Sequence, residues 1–361
     1  MQSASGSRSG LGRWPRLGPL ALGALLLSVL AGGARPAAGS DAPFAQVESH
    51  RIVDAALGPR EQRKLHASSW QGGSYTASTG EKVRVLVSAS YPDAFAAGQR
   101  WADFFASLLH GSELGLVTAY VLTPAEMEDL CGSNALGCYG GGELAFMGET
   151  VDGVTPEEVA RHEYGHHVAA NRANPPWRAI DTGPKRWASA ANVCMRTLQG
   201  TAYPGNEGPF YTLNPGEAFA EAYRVLNELE AGATDFSWSL VDGSFYPDAA
   251  ALEAAEHDVV APWAASETRT VRARFNGKKV WKMTVPTPFD GNLAVSLKFP
   301  RGALHELTVL SADGRTVLGQ GLWSGSAEKR LAATVCGQRS VVVRVIRRGS
   351  AEQFSLRITH D

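Results

Sequence analysis

The sequence lacks the features of a fibrous, disordered or membrane-embedded chain. It has no internal repeat or low-complexity tract, and 44% of its 361 residues are hydrophobic while 19% are charged. That composition is typical of a folded protein, and the length suggests two or three domains. The longest apolar run, residues 17–30, contains a proline and is shorter than the roughly 20 apolar residues that a bilayer-spanning helix needs. We therefore expect no membrane span.

Acidic residues are absent from the first 39 residues, which contain four arginines. Three of these arginines precede the apolar run, and small residues follow it, with plausible cleavage after Ala34, Ala38 or Gly39. This is the pattern of a secretory signal peptide. We therefore expect residues 1–39 to be a signal peptide and the mature protein to be secreted as a monomer. Residues 40–75 are predicted to be either a short pro-segment or a first helix.

Cysteine is scarce, and no CxxC pair is present, which disfavours a thiolate metal site. The four cysteines are an even number, and in an exported chain this indicates two disulfides with three possible pairings. Cys131 and Cys138 flank a turn-rich segment, so we predict a bond between them. The second bond, between Cys194 and Cys336, would then join two regions of opposite charge.

The formal net charge of −2 hides this division. Residues 40–267 contain 14 basic and 30 acidic residues, for a net charge of −16. Residues 268–361 contain 16 basic and six acidic residues, for a net charge of +10. Charge asymmetry of this kind predicts two modules with different roles.

The two regions also differ in periodicity. Region 40–267 mixes strand patterns with helix patterns, and capping boxes at Thr155 and Asn214 begin two of the helices. Region 268–361 consists of short strand-like runs separated by Gly, Asp and Pro turns. The predicted helices are 93–110, a short helix that Thr123-Pro-Ala-Glu126 opens with Thr123 as its N-cap, 155–170, 184–198, 214–230 and 248–257. The predicted strands are 83–87, 116–122, 140–148, 279–285, 293–299, 307–310, 340–346 and 354–359. We expect an α+β domain over 40–267, followed by an all-β sandwich over 268–361.

The helix predicted over 155–170 contains the motif His162-Glu163-x-x-His166. Histidines at i and i+4 lie on one helical face, close enough to bind one Zn²⁺. Glu163 is placed to take a proton from a water that the metal activates. A chance surface helix could carry the same motif, but this helix has its own start signal and belongs to an exported chain. We expect the adjacent His167, which points about 100° away from His166, to be packed or solvated.

Tetrahedral zinc requires a third protein ligand. A third histidine in an HExxHxxGxxH pattern is excluded, because Ala169 and Arg172 occupy the glycine and histidine positions. Asp181 is one remaining candidate. A later helix supplies Glu217 and Glu221, again four residues apart, so that one carboxylate binds zinc while the other accepts the second N–H of a ligand histidine.

With both motifs, the sequence resembles the gluzincin zinc metallopeptidases, which include thermolysin-like and anthrax lethal factor-type protease domains. The resemblance covers two motifs within residues 155–225 and implies a zincin-type fold for the catalytic domain. The roles it implies are zinc binding by His162, His166 and Glu217, general base catalysis by Glu163, support of a ligand histidine by Glu221, and oxyanion stabilisation by Tyr211. Tyr203 and Tyr223 are alternatives for the oxyanion role, because Tyr211 lies six residues before Glu217, which is one residue fewer than in the family pattern.

The resemblance implies an endopeptidase that acts on a protein or peptide substrate. We expect the strand over 143–147, just before the motif helix, to hold an extended peptide by strand addition. Two alternatives remain open: an exported binding protein with a non-catalytic zinc site, in which the basic β-sandwich is the functional module, and a hydrolase of a non-protein amide. Glu163 favours an enzyme, since a purely structural site needs no base beside its ligands.

The basic region resembles the pre-peptidase C-terminal β-sandwich domains of secreted bacterial proteases. Alternation along a strand puts Arg272 and Arg274 on one face. The cations expected in this patch are Arg269, Arg272, Arg274, Lys278, Lys279, Lys282, Arg344, Arg347 and Arg348. We expect the patch either to dock on the acidic region or to bind an anionic cell-surface polymer. Nucleic acid is not expected as a partner, because no aromatic platform accompanies the cations.

Overall fold

The computed structural model describes residues 45–47, 54–300, 302–324 and 328–361. The predicted signal peptide, residues 1–39, lies outside this part of the chain. Among the helices that are described, none is long and apolar enough to cross a membrane. The architecture is mixed α+β, with an α/β region followed by a sandwich of antiparallel sheets, as the sequence predicts.

The described residues form nine α-helices and sixteen strands. The helices are α1 (Pro59–Ala67), α2 (Ala94–Ser107), α3 (Pro124–Cys131), α4 (Pro156–Ala170), α5 (Ala179–Thr182), α6 (Lys185–Ala190), α7 (Val193–Leu198), α8 (Pro215–Glu230) and α9 (Ala249–Val260). The strands of the α/β region are β1 (Ala45–Val47), β2 (Asp54–Ala56), β3 (Trp70–Thr76), β4 (Lys82–Ser88), β5 (Thr118–Leu122), β6 (Gly137–Gly140), β7 (Glu143–Met147) and β8 (Asp235–Ser237). The strands of the sandwich are β9 (Glu267–Arg274), β10 (Val280–Pro286), β11 (Gly291–Lys298), β12 (Leu304–Ser311), β13 (Val317–Ser324), β14 (Lys329–Val335), β15 (Ser340–Arg347) and β16 (Gln353–His360).

A six-stranded mixed sheet with the order β2-β6-β7-β5-β4-β3 forms the centre of the α/β region. Helix α2 packs against β3 and β4, and α4 packs against β6 and β7. An aromatic cluster links these elements: Trp101 and Phe105 of α2 contact Phe146 of β7, and Phe105 also contacts Tyr164 of α4. All four side chains are buried. This core therefore holds the motif helix α4 firmly on the sheet.

The segment predicted as one strand over 140–148 is instead part of a hairpin. Strands β6 and β7 pair antiparallel, and Gly141 and Gly142 between them have φ values of 61° and 88°. A two-residue turn of this kind needs left-handed backbone at both positions, which glycine adopts without steric cost. Strand β7 is consequently paired on both sides, with β5 and with β6. The predicted strand addition of a substrate to 143–147 is therefore wrong, because that strand has no open edge.

Of two other segments, one differs from its prediction and the other contains one of the two alternatives that the sequence left open. The helix predicted over 184–198 is divided into α6 and α7, because Asn192 between them adopts a left-handed conformation, with φ of 54°, that a helix cannot continue through. Within residues 40–75, the structure contains a first helix, α1, followed by β3, which pairs with β4 at the edge of the sheet.

Two disulfides are present, Cys131–Cys138 and Cys194–Cys336, which is the pairing predicted from the sequence. The first links the end of α3 to β6. The second links α7 to the residue that follows β14, so it bridges the α/β region and the sandwich. Disulfides persist in oxidising compartments, and the two bonds fit an extracellular protein.

A buried lysine makes a further connection between the α/β region and the sandwich. Lys185 of α6 is fully buried and donates hydrogen bonds to the backbone carbonyl oxygens of Pro175 and Asp290. Its ammonium group also lies 3.3 Å from a carboxylate oxygen of Asp361, which follows the last strand of the sandwich. A buried charge is tolerated only when it is paired and hydrogen-bonded, so this contact fixes how α6 meets the sandwich.

The sandwich consists of two four-stranded antiparallel sheets, β10-β15-β12-β13 and β14-β11-β16-β9. Its core is mainly aliphatic and aromatic, and it contains a buried histidine. His305 of β12 is fully buried between Phe275, Phe299 and Phe354, and neither ring nitrogen has a hydrogen-bond partner within the described residues. Burial, with a smaller effect from the positive charge of Arg347, lowers the pKa of His305 below its ordinary value.

We predict that His305 makes the fold sensitive to acid. The unfolded chain binds a proton at this histidine near pH 6.5, whereas the folded chain does so only at lower pH. The contribution of neutral His305 to the free energy of unfolding is therefore retained above about pH 6.5, and it is lost as the pH falls toward the folded-state pKa. We expect the urea concentration at the unfolding midpoint to decrease less between pH 7 and pH 5 in His305→Phe than in the wild type. His257→Phe, at an exposed position of α9, is the control, and an equal acid response in all three proteins would contradict the prediction.

Candidate metal centre

Helix α4 positions the two histidines of the motif. The side chain of Thr155 accepts a hydrogen bond from the backbone N–H of Glu158, and the carboxylate of Glu158 accepts one from the backbone N–H of Thr155. This capping box starts the helix at the predicted residue. His162 and His166 follow on one face, both buried, with their Nε2 atoms 3.2 Å apart.

Glu217 of α8 supplies a third donor atom to the same point. Its Oε2 atom lies 3.3 Å from Nε2 of His162 and 3.3 Å from Nε2 of His166. The three atoms therefore form a nearly equilateral triangle. Ligands at about 2.0–2.1 Å from a tetrahedral zinc ion are roughly 3.3 Å from one another, so the triangle has the dimensions of three tetrahedral positions around one ion.

The close crossing of α4 and α8 makes this triangle possible. A Cβ atom at Gly165 of α4 would lie 2.8 Å from Cα and 3.0 Å from the carbonyl oxygen of Ala220 on α8. These are backbone atoms, so any larger residue at position 165 would force the helices apart. Gly165 stands within the motif, but only the structure reveals its role as the contact point of the two helices.

The second ring nitrogen of His162 faces Glu221, one turn along α8 from Glu217. Nδ1 of His162 lies 3.3 Å from Oε2 of Glu221. The same carboxylate accepts a hydrogen bond from Nε of Arg224 at 2.6 Å, and Arg224 is itself fully buried. The arrangement is that of a ligand histidine whose orientation and tautomer are set by a carboxylate behind it. Arg224 is a residue that the sequence analysis did not identify.

The electrostatics keep both carboxylates ionised. Burial alone would raise the pKa of Glu217, but the facing rings of His166 and His162 outweigh that effect and hold the pKa below its usual range. Burial acts in the same direction on Glu221, where Arg224 and His162 outweigh it and lower the pKa to about 2. A carboxylate binds a metal or orients a histidine in its ionised form.

Glu163 lies on α4 between the two histidines in sequence and is fully buried. A Cβ atom at Gly137 of β6 would lie 2.1 Å from its Oε1 atom and 2.7 Å from its carboxyl carbon. The carboxylate is thus packed directly against the backbone of β6, where only glycine leaves room for it. Gly137 is a second position that the sequence analysis did not identify, since the signal is a spatial contact rather than a motif.

Of the three tyrosines considered, Tyr211 is the one at the centre. Its hydroxyl donates a hydrogen bond to Oε2 of Glu217 at 3.0 Å. Tyr203 stacks on Phe210 with ring centroids 4.0 Å apart, and the hydroxyl of Tyr223 donates to the carbonyl oxygen of Leu109. The structure therefore gives Tyr211 access to the donor triangle, whereas the described contacts of Tyr203 and Tyr223 are made with Phe210 and Leu109.

The structure separates Asp181 and His167 from the donor triangle. Asp181 is partly exposed on α5 and forms an ion pair with Arg178 at 3.5 Å. His167 is buried, with Nε2 2.9 Å from the carbonyl oxygen of Glu113 and Nδ1 3.2 Å from the hydroxyl of Tyr139. His167 is thus packed in the core, in line with the expectation that it is not a ligand.

An open cavity of about 1110 Å³ reaches the centre, and His166 and Glu217 contribute to its lining. The segment 169–181, which includes Trp177, forms one wall of the cavity, and Trp263 and Ala56 also contribute to its lining. The donor triangle is therefore accessible from outside, as a centre that acts on an external molecule must be.

No family model matches this chain, and no curated protein does. Among solved structures, a mitogen derived from Yersinia pseudotuberculosis is 18% identical with a TM-score of 0.20, over 27% of this chain and 86% of that one. PirA is 14% identical with a TM-score of 0.20, over 28% of this chain and 98% of that one. PliG of Aeromonas hydrophila, a periplasmic inhibitor of g-type lysozyme, is 12% identical with a TM-score of 0.20, over 27% and 86%. Similarities this weak carry no argument about fold or function.

We predict that Glu217, not Asp181, completes the zinc-binding group. Glu217→Ala removes a donor atom and should weaken zinc binding more than Glu221→Ala, for which a loss of about 10–100-fold is expected. Asp181→Ala, at the same cavity but outside the triangle, should bind zinc like the wild type. Competition with a chromophoric chelator measures all three. Zinc retained by Glu217→Ala but lost by Asp181→Ala would show that the triangle is not the site.

Proposed function

We propose that the protein is a secreted zinc-dependent endopeptidase. The observation that carries the proposal is the triangle of two imidazole nitrogens and one carboxylate oxygen, with sides of 3.2–3.3 Å, beside the buried carboxylate of Glu163. The predicted signal peptide and the two disulfides support secretion.

The donor set suits zinc better than other common metals. Imidazole nitrogen with one carboxylate oxygen is typical of catalytic zinc, which takes three protein ligands and leaves one position open, whereas magnesium and calcium prefer oxygen donors alone. Glu221 behind His162 adds the outer contact that zinc-binding histidines commonly make. The residues present therefore fit the metal.

Zinc held by these residues would supply Lewis acidity, polarising a carbonyl group and lowering the pKa of water. Glu163 acts as the general base: its carboxylate accepts a proton from the attacking water and later returns it to the leaving amine. Burial against Gly137 restricts the carboxylate to few orientations. A base whose position is fixed before the substrate arrives loses little entropy when the reaction takes place.

Tyr211 is the candidate donor to the negative charge that develops on the scissile carbonyl oxygen. Its hydroxyl lies 3.0 Å from Oε2 of Glu217, so it is within reach of a carbonyl group bound beside the triangle. A hydrogen-bond donor placed at the developing charge stabilises the transition state more than the ground state.

Substrate binding takes place in the open cavity rather than by strand addition to β7. The outer edge of β6 is covered as well, because β2 pairs with it in parallel from Asp54 to Ala56. An extended peptide is therefore held by cavity walls such as Trp177 and Trp263, which offer broad apolar contact. The cavity volume of about 1110 Å³ accommodates several residues of a peptide.

We predict that Glu163→Gln keeps zinc but loses casein-cleaving activity by several orders of magnitude. The amide keeps the shape of the side chain and removes its ability to accept the proton. Metal content is measured by mass spectrometry and activity by release of labelled peptides. Glu157→Gln, in the first turn of the same helix, is the control and should retain activity.

Equal activity in the wild type and Glu163→Gln would contradict the role of this residue as the base. A zinc-loaded wild type that cleaves no unfolded protein would contradict the endopeptidase proposal and favour the alternative of a binding protein with a non-catalytic metal site.

A further inference from the structure

The outer face of the sheet β14-β11-β16-β9 is built from an unusual set of side chains. Strand pairing brings fifteen outward positions together, alternating with buried residues such as Val295 and Leu356. They are Thr268, Thr270, Arg272 and Arg274 of β9, Asn292, Ala294, Ser296 and Lys298 of β11, Arg330, Ala332 and Thr334 of β14, and Gln353, Ser355, Arg357 and Thr359 of β16. None of these residues is acidic, aromatic or a large aliphatic.

Five of the fifteen residues are cations, and the strand register places them close together. They are Arg272, Arg274, Lys298, Arg330 and Arg357, which we call the cationic face. Arg357 and Arg330 both flank Ser296 in one row, and Arg272 and Lys298 both flank Ser355 in the next. With strands about 4.8 Å apart and a rise of about 3.3 Å per residue, all five lie within a patch about 14 Å across in each direction.

Within the part of the chain that the structure describes, these charges have no ion-pair partner. All five side chains are exposed, and none forms an ion pair with a carboxylate in the described residues, including Glu328 directly before β14. None contributes to the described hydrogen bonds between the sandwich and the α/β region, which come from residues such as Asp290, Arg339 and Asp361. Among the residues with described positions, the cationic face is therefore not docked on the acidic region.

The patch differs from the one expected from the sequence. Arg347 pairs with Glu352 and Arg348 pairs with Glu306, so their charges are offset. Lys282 and Arg344 lie opposite each other on the other sheet. The outer face of that sheet also exposes large apolar side chains, Val280, Val317 and Leu322. Of these two sheets, the one with the cationic face combines dense positive charge with a surface that carries no large apolar side chain.

We propose that the cationic face binds an acidic polysaccharide. Arginine pairs with carboxylate and sulfate groups through two parallel hydrogen bonds, and the hydroxyl and amide groups between the cations match the hydroxyl groups of sugars. A duplex nucleic acid is disfavoured because a flat sheet cannot enter a groove, and single strands are disfavoured because no aromatic ring is available for stacking. A membrane surface is disfavoured because no apolar side chain on this face can insert.

The proposal is independent of the metal centre and is tested on the full mature chain with heparin as the probe. Arg272→Ser/Arg357→Ser removes two charges from the cationic face, and Lys279→Ser/Lys282→Ser removes two exposed charges from the β10 side of the sandwich. At about 0.1 M salt the first variant should bind heparin about 10-fold more weakly than the wild type, and the second should bind like the wild type. Thermal unfolding checks that both variants are folded.

Equal losses in the two variants would overturn the proposal, since they would show attraction to the overall charge rather than to this face. Absence of heparin binding by the wild type would also overturn it. Tighter binding to a DNA oligonucleotide or to phosphatidylserine vesicles, lost in the same variant, would assign the face to a different partner and contradict the polysaccharide proposal.

Discussion

The close crossing of α4 and α8 is the constraint on which the candidate centre depends. The two histidines lie on one helix and the two glutamates on the other, so their contact requires backbones that nearly touch. Gly165 against Ala220 provides that approach. The aromatic cluster around Phe105 then holds α4 on the sheet, and Glu163 is pressed against β6 at Gly137. Distances at the centre are thus set by packing of backbones rather than by flexible side chains.

The candidate centre buries several carboxylates close to one another. Glu163, Glu217 and Glu221 are each at most 3% exposed, and the buried cation that hydrogen-bonds to this group is Arg224. Uncompensated buried carboxylates are costly, so they are normally paired or bound to a metal. Arg224 pairs with Glu221, and a divalent cation inside the donor triangle would offset the charge of Glu217.

Local signals made much of the fold predictable. Capping boxes mark where α3 and α4 begin, valine-rich alternation marks β4 and the sandwich, and a turn-rich loop marks the bond between Cys131 and Cys138. Features that depend on neighbours distant in sequence were not predictable. The pairing of β7 on both sides, the contact of Gly137 with Glu163 and the support from Arg224 arise only once the chain is folded. The cationic face is similar, because cross-strand register, not sequence position, brings Arg330 and Arg357 to the two sides of Ser296.

X-ray absorption at the zinc edge of the purified mature protein tests the central claim most directly. The account predicts one zinc per chain with two imidazole nitrogens at about 2.0–2.1 Å and a carboxylate oxygen at about 2.0–2.2 Å. The imidazole signal should be reduced in His166→Ala, which removes one of the two rings. A protein that takes up no zinc, or a zinc environment that is unchanged in His166→Ala, would contradict the assignment of His162, His166 and Glu217 as the metal centre.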